Sequence, residues 1–403
     1  AAGAFALCEN TTASNNTAVG KDSLKTNTTG TENTAVGANS QDSTTTGNYN
    51  SSFGFCSLQT NTTGGYNTAL GYKTLFLNNG SLNTAVGWSA LLCNTSGANN
   101  VAVGTNSSEK NTTGTLNTAV GVDSLACNTT GSCNTASGAY SLDANTTGGC
   151  NTGLGYGALS VNTTASNNTA VGFYSLLQNT TGCCNTAIGR QALKANTTGN
   201  NNVAVGVSAL GSNIGANDNT AVGIISLSSN TTGACNTAVG FSALKTNTTG
   251  GTNAAFGYQA LNANTTAGCN TAVGYRALCA NTTGSCNTSI GRDSLLATST
   301  GACNTAIGKT SGSIMATGDN NTFLGYDAQP TSSSVSHQIT LGNSNNNNLR
   351  CADTSISSLS DLRDKTNVED IPHGLAYILA LRPVKFDWNT RDGSRVGKKD
   401  YGF

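Results

Sequence analysis

The chain is 403 residues long, only 9% of its residues are charged, and 19 basic side chains balance 19 acidic ones. This balance gives no electrostatic attraction to nucleic acid or to an anionic membrane, and no apolar stretch approaches the roughly 20 residues that cross a bilayer, so neither is an expected partner. The 49 glycines and the shortage of large apolar side chains argue against an ordinary globule. They would suit a disordered linker, but the apolar residues recur at regular positions, which argues against disorder.

A 17-residue repeat runs through most of the chain. The block Asn-Thr-Ala-Val-Gly, or a close variant, occurs nineteen times from Asn16 to Asn321, and only the interval from Asn67 to Asn83 is shorter, by a single residue. A constant period with almost no insertions predicts an architecture in which each unit contacts its neighbours. The first residues, AAGAFAL, resemble the middle of a copy, so we expect the chain to be a fragment of a longer protein.

The positions of each copy, counted from its leading Asn as position 1, predict strands. Position 4 is apolar in every copy except Ser137, position 5 is always Gly, and position 9 is Leu in most copies. Two apolar positions per copy are too few for an amphipathic helix, whereas short β-branched runs between glycines and Asn-Thr-Thr-Gly turns are typical of short strands. We therefore predict an all-β fold for residues 1–328, a parallel β-solenoid or β-roll of about nineteen 17-residue coils.

Stacking of the coils in register leads to further expectations. Coils about 4.8 Å apart give a rod on the order of 90 Å long. In this rod the Val and Leu rows are expected to form a thin continuous core, and the Asn and Thr rows to form hydrogen-bonded ladders. Proline cannot donate to a ladder, and all three prolines, Pro330, Pro372 and Pro383, follow the last copy.

Cysteines are concentrated at one position of the repeat. Seven of the fourteen directly precede a leading Asn. Cys127 with Cys133, and Cys279 with Cys286, flank an Asn-Thr-Thr-Gly turn, so each pair is a candidate disulfide within one coil. Neighbours in the row would lie about 4.8 Å apart, which is within disulfide range, although their parallel side chains are unfavourable. A buried free thiol is an equally good interpretation. Without a close-spaced Cys/His cluster we expect no metal, and nothing indicates a cofactor.

Position 6 is aromatic in nine copies. A row of flat rings suits the faces of sugars, but in a stacked rod it more often serves packing, as a ladder of stacked rings or as a contact between subunits. We favour packing. The row consists of Phe55, Tyr72, Trp88, Tyr156, Phe173, Phe241, Tyr258, Tyr275 and Tyr326.

The composition changes after the repeat. Of the last 43 residues 15 are charged, against 23 of the first 360. We therefore expect a junction at residues 329–359 and a second domain at residues 360–403.

Two parts of the chain resemble known families. The 17-residue NTAVG repeat resembles the β-solenoid shafts of phage and other viral tail fibres and, more loosely, the head repeats of trimeric autotransporter adhesins. The C-terminal stretch closely resembles the opening of the intramolecular chaperone domain of tail spikes and fibres, the peptidase S74 domain. It shares the SDxRxK signature, a helix of the GLAYILALRP kind and a hairpin of the VKFDW...DYGF kind. The resemblance implies a small α+β domain of which residues 360–403 are the beginning.

The resemblance also implies a function. In that family the domain assists the folding of a trimeric fibre and then cleaves itself off, with a serine nucleophile and a lysine base five residues apart. These roles fall on Ser360 and Lys365. A lysine desolvated by folding loses its proton and can activate a nearby hydroxyl, although Lys365 as a simple solvated charge is the other interpretation. In a chain that holds only part of the domain we expect no cleavage.

The predicted protein is thus the extracellular shaft of a homotrimeric virion tail fibre that mediates attachment to a host glycan or receptor and has no external substrate. Two other functions stay open at this point. One is a trimeric cell-surface adhesin or glycan-binding extracellular fibre, for which the repeat would serve equally well. The other, less favoured, is an ice-binding solenoid that uses an exposed threonine array.

Overall fold

The computed structural model describes residues 1–346 and two further strands, 384–387 and 399–402. The chain divides into two units, Ala1–Asn346 and Asn347–Phe403.

The first unit contains twenty three-residue strands in one parallel sheet. Each strand pairs in register with the strands before and after it in the chain, so that Thr17 lies opposite Thr34 and Val19 opposite Val36. The strands are β1 Thr17–Val19, β2 Thr34–Val36, β3 Ser51–Phe53, β4 Thr68–Leu70, β5 Thr84–Val86, β6 Val101–Val103, β7 Thr118–Val120, β8 Thr135–Ser137, β9 Thr152–Leu154, β10 Thr169–Val171, β11 Thr186–Ile188, β12 Val203–Val205, β13 Thr220–Val222, β14 Thr237–Val239, β15 Ala254–Phe256, β16 Thr271–Val273, β17 Thr288–Ile290, β18 Thr305–Ile307, β19 Thr322–Leu324 and β20 Ile339–Leu341.

This arrangement confirms the predicted parallel β-solenoid of about nineteen coils, and residues 1–346 contain no helix. One coil corresponds to one repeat. The sheet continues beyond residue 328, because β20 pairs in parallel with β19.

The glycine at position 5 ends each strand. Gly20 has φ of 128°, in a region that side chains rarely adopt. A Cβ atom there would lie only 2.5 Å from the carbonyl oxygen of Gly37 in the next coil. Both the backbone conformation and the close approach of neighbouring coils therefore require glycine.

The core differs from the sequence-based expectation. Leu at position 9 is fully buried, as expected, but within the strands β1 to β19 it is the residue at position 3, usually Ala, that faces inward, as Ala18 and Ala35 do. Residues at position 4 are exposed or half-buried in every coil, so the prediction that the Val row belongs to the core was wrong. Successive side chains of a strand point to opposite faces, and a three-residue strand that turns its middle residue inward must turn both flanking residues outward.

Left-handed backbone at positions 7 and 9 places two consecutive residues inside. Ser23 and Leu24, at positions 8 and 9, are both fully buried, and Leu24 has φ of 49°. Left-handed conformations cost about 1–2 kcal/mol for an L-residue. Burial of a leucine side chain contributes about 1.5–3 kcal/mol, which offsets that strain.

Two rows of buried asparagines tie the coils together, as the ladder prediction anticipated. At position 1, the Asn33 side chain donates to the carbonyl of Gly47 at 2.8 Å and accepts the backbone N–H of Asn50 at 2.9 Å. At position 12, Nδ2 of Asn162 donates to Oδ1 of Asn145 at 2.8 Å and to the carbonyl of Ala165 at 3.0 Å. Each amide therefore links its own coil to a neighbour.

The position-12 ladder is interrupted where threonine replaces asparagine. Thr44 and Thr298 occupy the row, and the asparagine one coil before each, Asn27 and Asn281, has a buried Oδ1 without a hydrogen-bond partner in the described structure. The shorter coil keeps the row, because its missing residue lies in the turn after Asn78, which remains buried.

The second unit is described only by β21 Val384–Asp387 and β22 Lys399–Gly402. They pair antiparallel, with Val384 opposite Gly402 and Asp387 opposite Lys399. This pairing agrees with the predicted hairpin. The predicted helix of the GLAYILALRP kind lies outside the described residues.

Candidate interaction surface

An apolar row runs along the outside of the solenoid at position 4, and we call it the outer row. Its side chains point outward from the parallel sheet, and none of them is buried. Val19 is 44% exposed and Ile307 43%. Ser137 is the one polar member. Because contiguous exposed apolar surface of this kind marks interaction sites, the outer row is the strongest candidate for contact with a partner. The hydrophobicity of position 4 pointed to the core and so hid this surface, although the small residue at position 3 indicates the tighter inner face.

The aromatic row at position 6 contains rings that stack along the solenoid. Tyr258 lies between Phe241 and Tyr275, with ring centroids 5.3 and 5.2 Å apart and planes within 12° and 8°. Phe55, Tyr72 and Trp88 form a second stack. The expected ladder of stacked rings is therefore confirmed, and the rings still expose a large part of their surface, 43% for Tyr258.

Cations continue the aromatic row where rings end. The Arg292 guanidinium lies 5.6 Å from the ring centre of Tyr275, and Nζ of Lys309 lies 5.4 Å from that of Tyr326. Such contacts contribute about 0.5–1 kcal/mol at exposed sites.

The cysteine row at position 17 is exposed. Cys269, Cys286 and Cys303 occupy it in three consecutive coils as free thiols. Desolvation by the surrounding side chains, and then the neighbouring Cys269 and Cys303, raise the pKa of Cys286 above the usual value of a thiol. A raised pKa means less thiolate at neutral pH and therefore lower reactivity.

The candidate disulfide partners lie at two different depths. Cys127 and Cys279 are half-buried, whereas Cys133 and Cys286 are exposed, and all four are free thiols. Bridges from Cys127 to Cys133 and from Cys279 to Cys286 stay a prediction.

The threonines of the turn are partly engaged. At position 13, Oγ1 of Thr28 donates to the carbonyl of Thr45 at 3.1 Å, and Oγ1 of Thr112 donates to that of Thr129 at 2.9 Å. These hydroxyls therefore strengthen the stack between coils.

No group of His, Cys, Asp or Glu side chains in the described part of the chain could hold a metal ion. Likewise, the described residues include no helix that is long and apolar enough to cross a membrane. Ser360 and Lys365, the candidate autocleavage residues, lie outside the described residues.

Comparison with known proteins concerns the C-terminal segment. Residues 360–403 match the Peptidase_S74 family model, described as the chaperone of endosialidase. Neither the curated proteins nor the solved structures contain a significant match to the chain. The chain therefore consists of a parallel β-solenoid with a 17-residue repeat, followed by a segment that matches the chaperone of endosialidase.

Proposed function

We propose that this chain is the shaft of a homotrimeric virion tail fibre that acts outside the cell in host attachment. Its C-terminal segment begins a chaperone domain that assists trimer formation and then cleaves itself off. The observation that carries the proposal is the exposed outer row on a solenoid whose chain continues into a chaperone-of-endosialidase segment.

A second copy of the chain is the partner that fits the outer row. The row repeats once per coil, so a partner that covers its whole length must present apolar groups at the same spacing. Another solenoid of identical sequence does this along the entire sheet, and closed symmetric assembly is the usual outcome for identical chains. Three copies are proposed from the family resemblance.

The same resemblance supports the cleavage step. Lys365 would take the proton of the Ser360 hydroxyl, and the oxygen would attack a peptide carbonyl of the same chain. The C–N bond would break, the amine would leave with that proton, and water would hydrolyse the ester that remains. The lysine must lose its own proton first, which burial on folding favours. Release of the chaperone would then leave the assembled shaft behind. The peptidase S74 match favours the virion over a cell-surface adhesin.

The trimer is tested with charges placed on the outer row. We expect native mass spectrometry of the purified protein to give three chains, and Val273→Asp with Ile290→Asp to give monomers, because buried unpaired carboxylates are costly. Thr283→Asp with Thr300→Asp, on exposed turns of the same two coils, is the matched control and should remain trimeric. A monomeric wild type, or trimers in both double variants, would contradict the proposed assembly.

The cleavage is tested by the mass of the C-terminal product. In the intact protein we expect wild type to be cut next to Ser360, Ser360→Ala to stay whole, and the neighbouring Ser358→Ala to be cut normally. A Ser360→Ala protein that still loses its C-terminal part would remove the proposed nucleophile.

A further inference from the structure

One coil departs from the repeat in a way that opens a slot on its surface. Position 7 carries a side chain in every coil except the one that begins at Asn151, where it is Gly157. The coils before and after place Tyr140 and Tyr174 at this position, the only tyrosines of the row. The order Tyr-Gly-Tyr therefore occurs once along the position-7 row.

The glycine makes room for an aromatic ring. A Cβ atom on Gly157 would lie 2.7 Å from Cδ1 of Tyr174, so that ring rests over the glycine backbone. The Tyr156 ring stands at 74° to that of Tyr140 and at 66° to that of Tyr174, with centroids 5.6 and 5.5 Å apart. Tyr156 thus meets two rings at steep angles, while it also stacks on Phe173 with centroids 5.6 Å apart and planes within 16°.

A shallow surface depression of about 300 Å³, largely open to solvent, lies among these rings, and we call it the tyrosine slot. It is lined by Tyr140, Tyr156, Gly157, Ser160, Tyr174 and Leu177. These residues belong to positions 6, 7 and 10, and none belongs to the outer row. Ser137, the polar interruption of the outer row, lies in the same coil as Tyr140.

The lining specifies the chemistry of a ligand. It contains no basic side chain, which disfavours an anionic ligand. Ring faces also attract quaternary ammonium groups, so choline is one of the ligands compared in the test. The lining offers aromatic faces that suit the C–H groups of a sugar ring, and the phenol groups and Ser160 hydroxyl that can exchange hydrogen bonds with sugar hydroxyls. Its volume is at the small end for ligand sites, which suits one sugar ring.

We propose that the tyrosine slot binds a neutral pyranose of a surface glycan. The inference rests on the proposed role in host attachment for its biological meaning, while binding in the slot requires neither the virion nor the cleavage step.

The test is titration of the purified fibre with neutral methyl pyranosides, observed by saturation-transfer NMR on the sugar protons. Gly157→Asn should weaken binding by about tenfold or more, the equivalent of one lost ring contact. Asparagine occupies this row naturally at Asn39 and Asn106 with the same left-handed backbone, so the variant is expected to fold. Ser208→Asn, which introduces asparagine at the same position of a distant coil, is the control and should bind as wild type does.

Three results would overturn the proposal. These are no transfer to any neutral pyranoside at millimolar concentration, binding that Gly157→Asn leaves unchanged, and stronger binding of choline or sialic acid than of the neutral sugars. Native mass spectrometry on the same samples separates the two proposals, because a trimer that fails to bind sugars contradicts only the slot.

Discussion

Removal of one asparagine from the position-12 ladder tests how the coils are held together. Asn162→Ala deletes the two hydrogen bonds that Nδ2 donates to Asn145 and Ala165 and the one that Oδ1 accepts from Asn179 at 2.9 Å. At a net value of about 1 kcal/mol each, the loss is about 3 kcal/mol, and the orphaned buried Oδ1 of Asn145 adds about 1–3 kcal/mol. We expect local unfolding of this coil to become easier by at least about 3 kcal/mol.

The matched control is Asn281→Ala at an interrupted end of the ladder. Asn281 donates two hydrogen bonds, to Asn264 and Gly284, but its Oδ1 accepts none. Its loss should therefore be smaller by about one hydrogen bond, or about 1 kcal/mol. Hydrogen exchange reads the local opening free energy, and a difference of about 1.4 kcal/mol corresponds to a tenfold change. We predict at least about hundredfold faster exchange around residue 162 in the first variant and a smaller effect around residue 281 in the second. Unchanged exchange in Asn162→Ala, or a larger effect in Asn281→Ala, would refute the ladder argument.

Three other predictions address the backbone, the charges and the thiols. Gly274→Ala should lower the denaturation midpoint strongly, because φ is 136° and the new Cβ would lie 2.6 Å from the Gly291 carbonyl oxygen. Gly215→Thr, which restores the threonine usual at that position, should be tolerated, and equal midpoints for the two variants would contradict the argument. Burial, and then the charge of Asp123, raise the pKa of Asp143 above its ordinary 3.8, so the ionised carboxylate is disfavoured in the fold. The protonated Asp143 carboxyl group therefore favours the folded state below its ordinary pKa, and this contribution to stability is lost as the pH rises through the raised pKa of the folded state. Asp143→Asn should therefore stabilise the protein at pH 7 and have little effect at pH 3, as urea melts at both values would measure; stabilisation at pH 3 alone would reverse the sign. Finally, the pH midpoint for alkylation of Cys286 should fall when Cys269 and Cys303 are both replaced by Ser, and an unchanged midpoint would mean that these thiols do not raise its pKa.

Much of the fold could be predicted from the sequence because nineteen copies of the repeat can be compared with one another position by position. The invariant glycine, the Asn and Thr rows and the absence of proline from the repeats all follow from stacking one coil on the next. The orientation of the strand could not be read in the same way. Val19 is more hydrophobic than Ala18, so ranking by hydrophobicity places it inside, whereas close packing of coils favours the smaller side chain there.

Two other features escaped prediction for physical reasons. Leucine rarely adopts a left-handed backbone, so nothing in the sequence indicates that Leu24 and its neighbour Ser23 both face inward. The tyrosine slot depends on Gly157 lying between Tyr140 and Tyr174 at position 7 of three successive coils. The sequence does not show that these rings lie beside Tyr156 of position 6. Ser360 and Lys365 rest on the family resemblance alone.

The central claim is that one 17-residue repeat forms one coil, with alanine and leucine inside and the position-4 side chains outside. An electron cryomicroscopy map of the purified shaft tests it most directly. We predict layers separated by about 4.8 Å along the axis, side-chain density for Leu58 and Leu75 in the interior, and Phe53 and Leu70 on the outer face. A map without that spacing, or with Phe53 and Leu70 enclosed by the coils, would contradict the account.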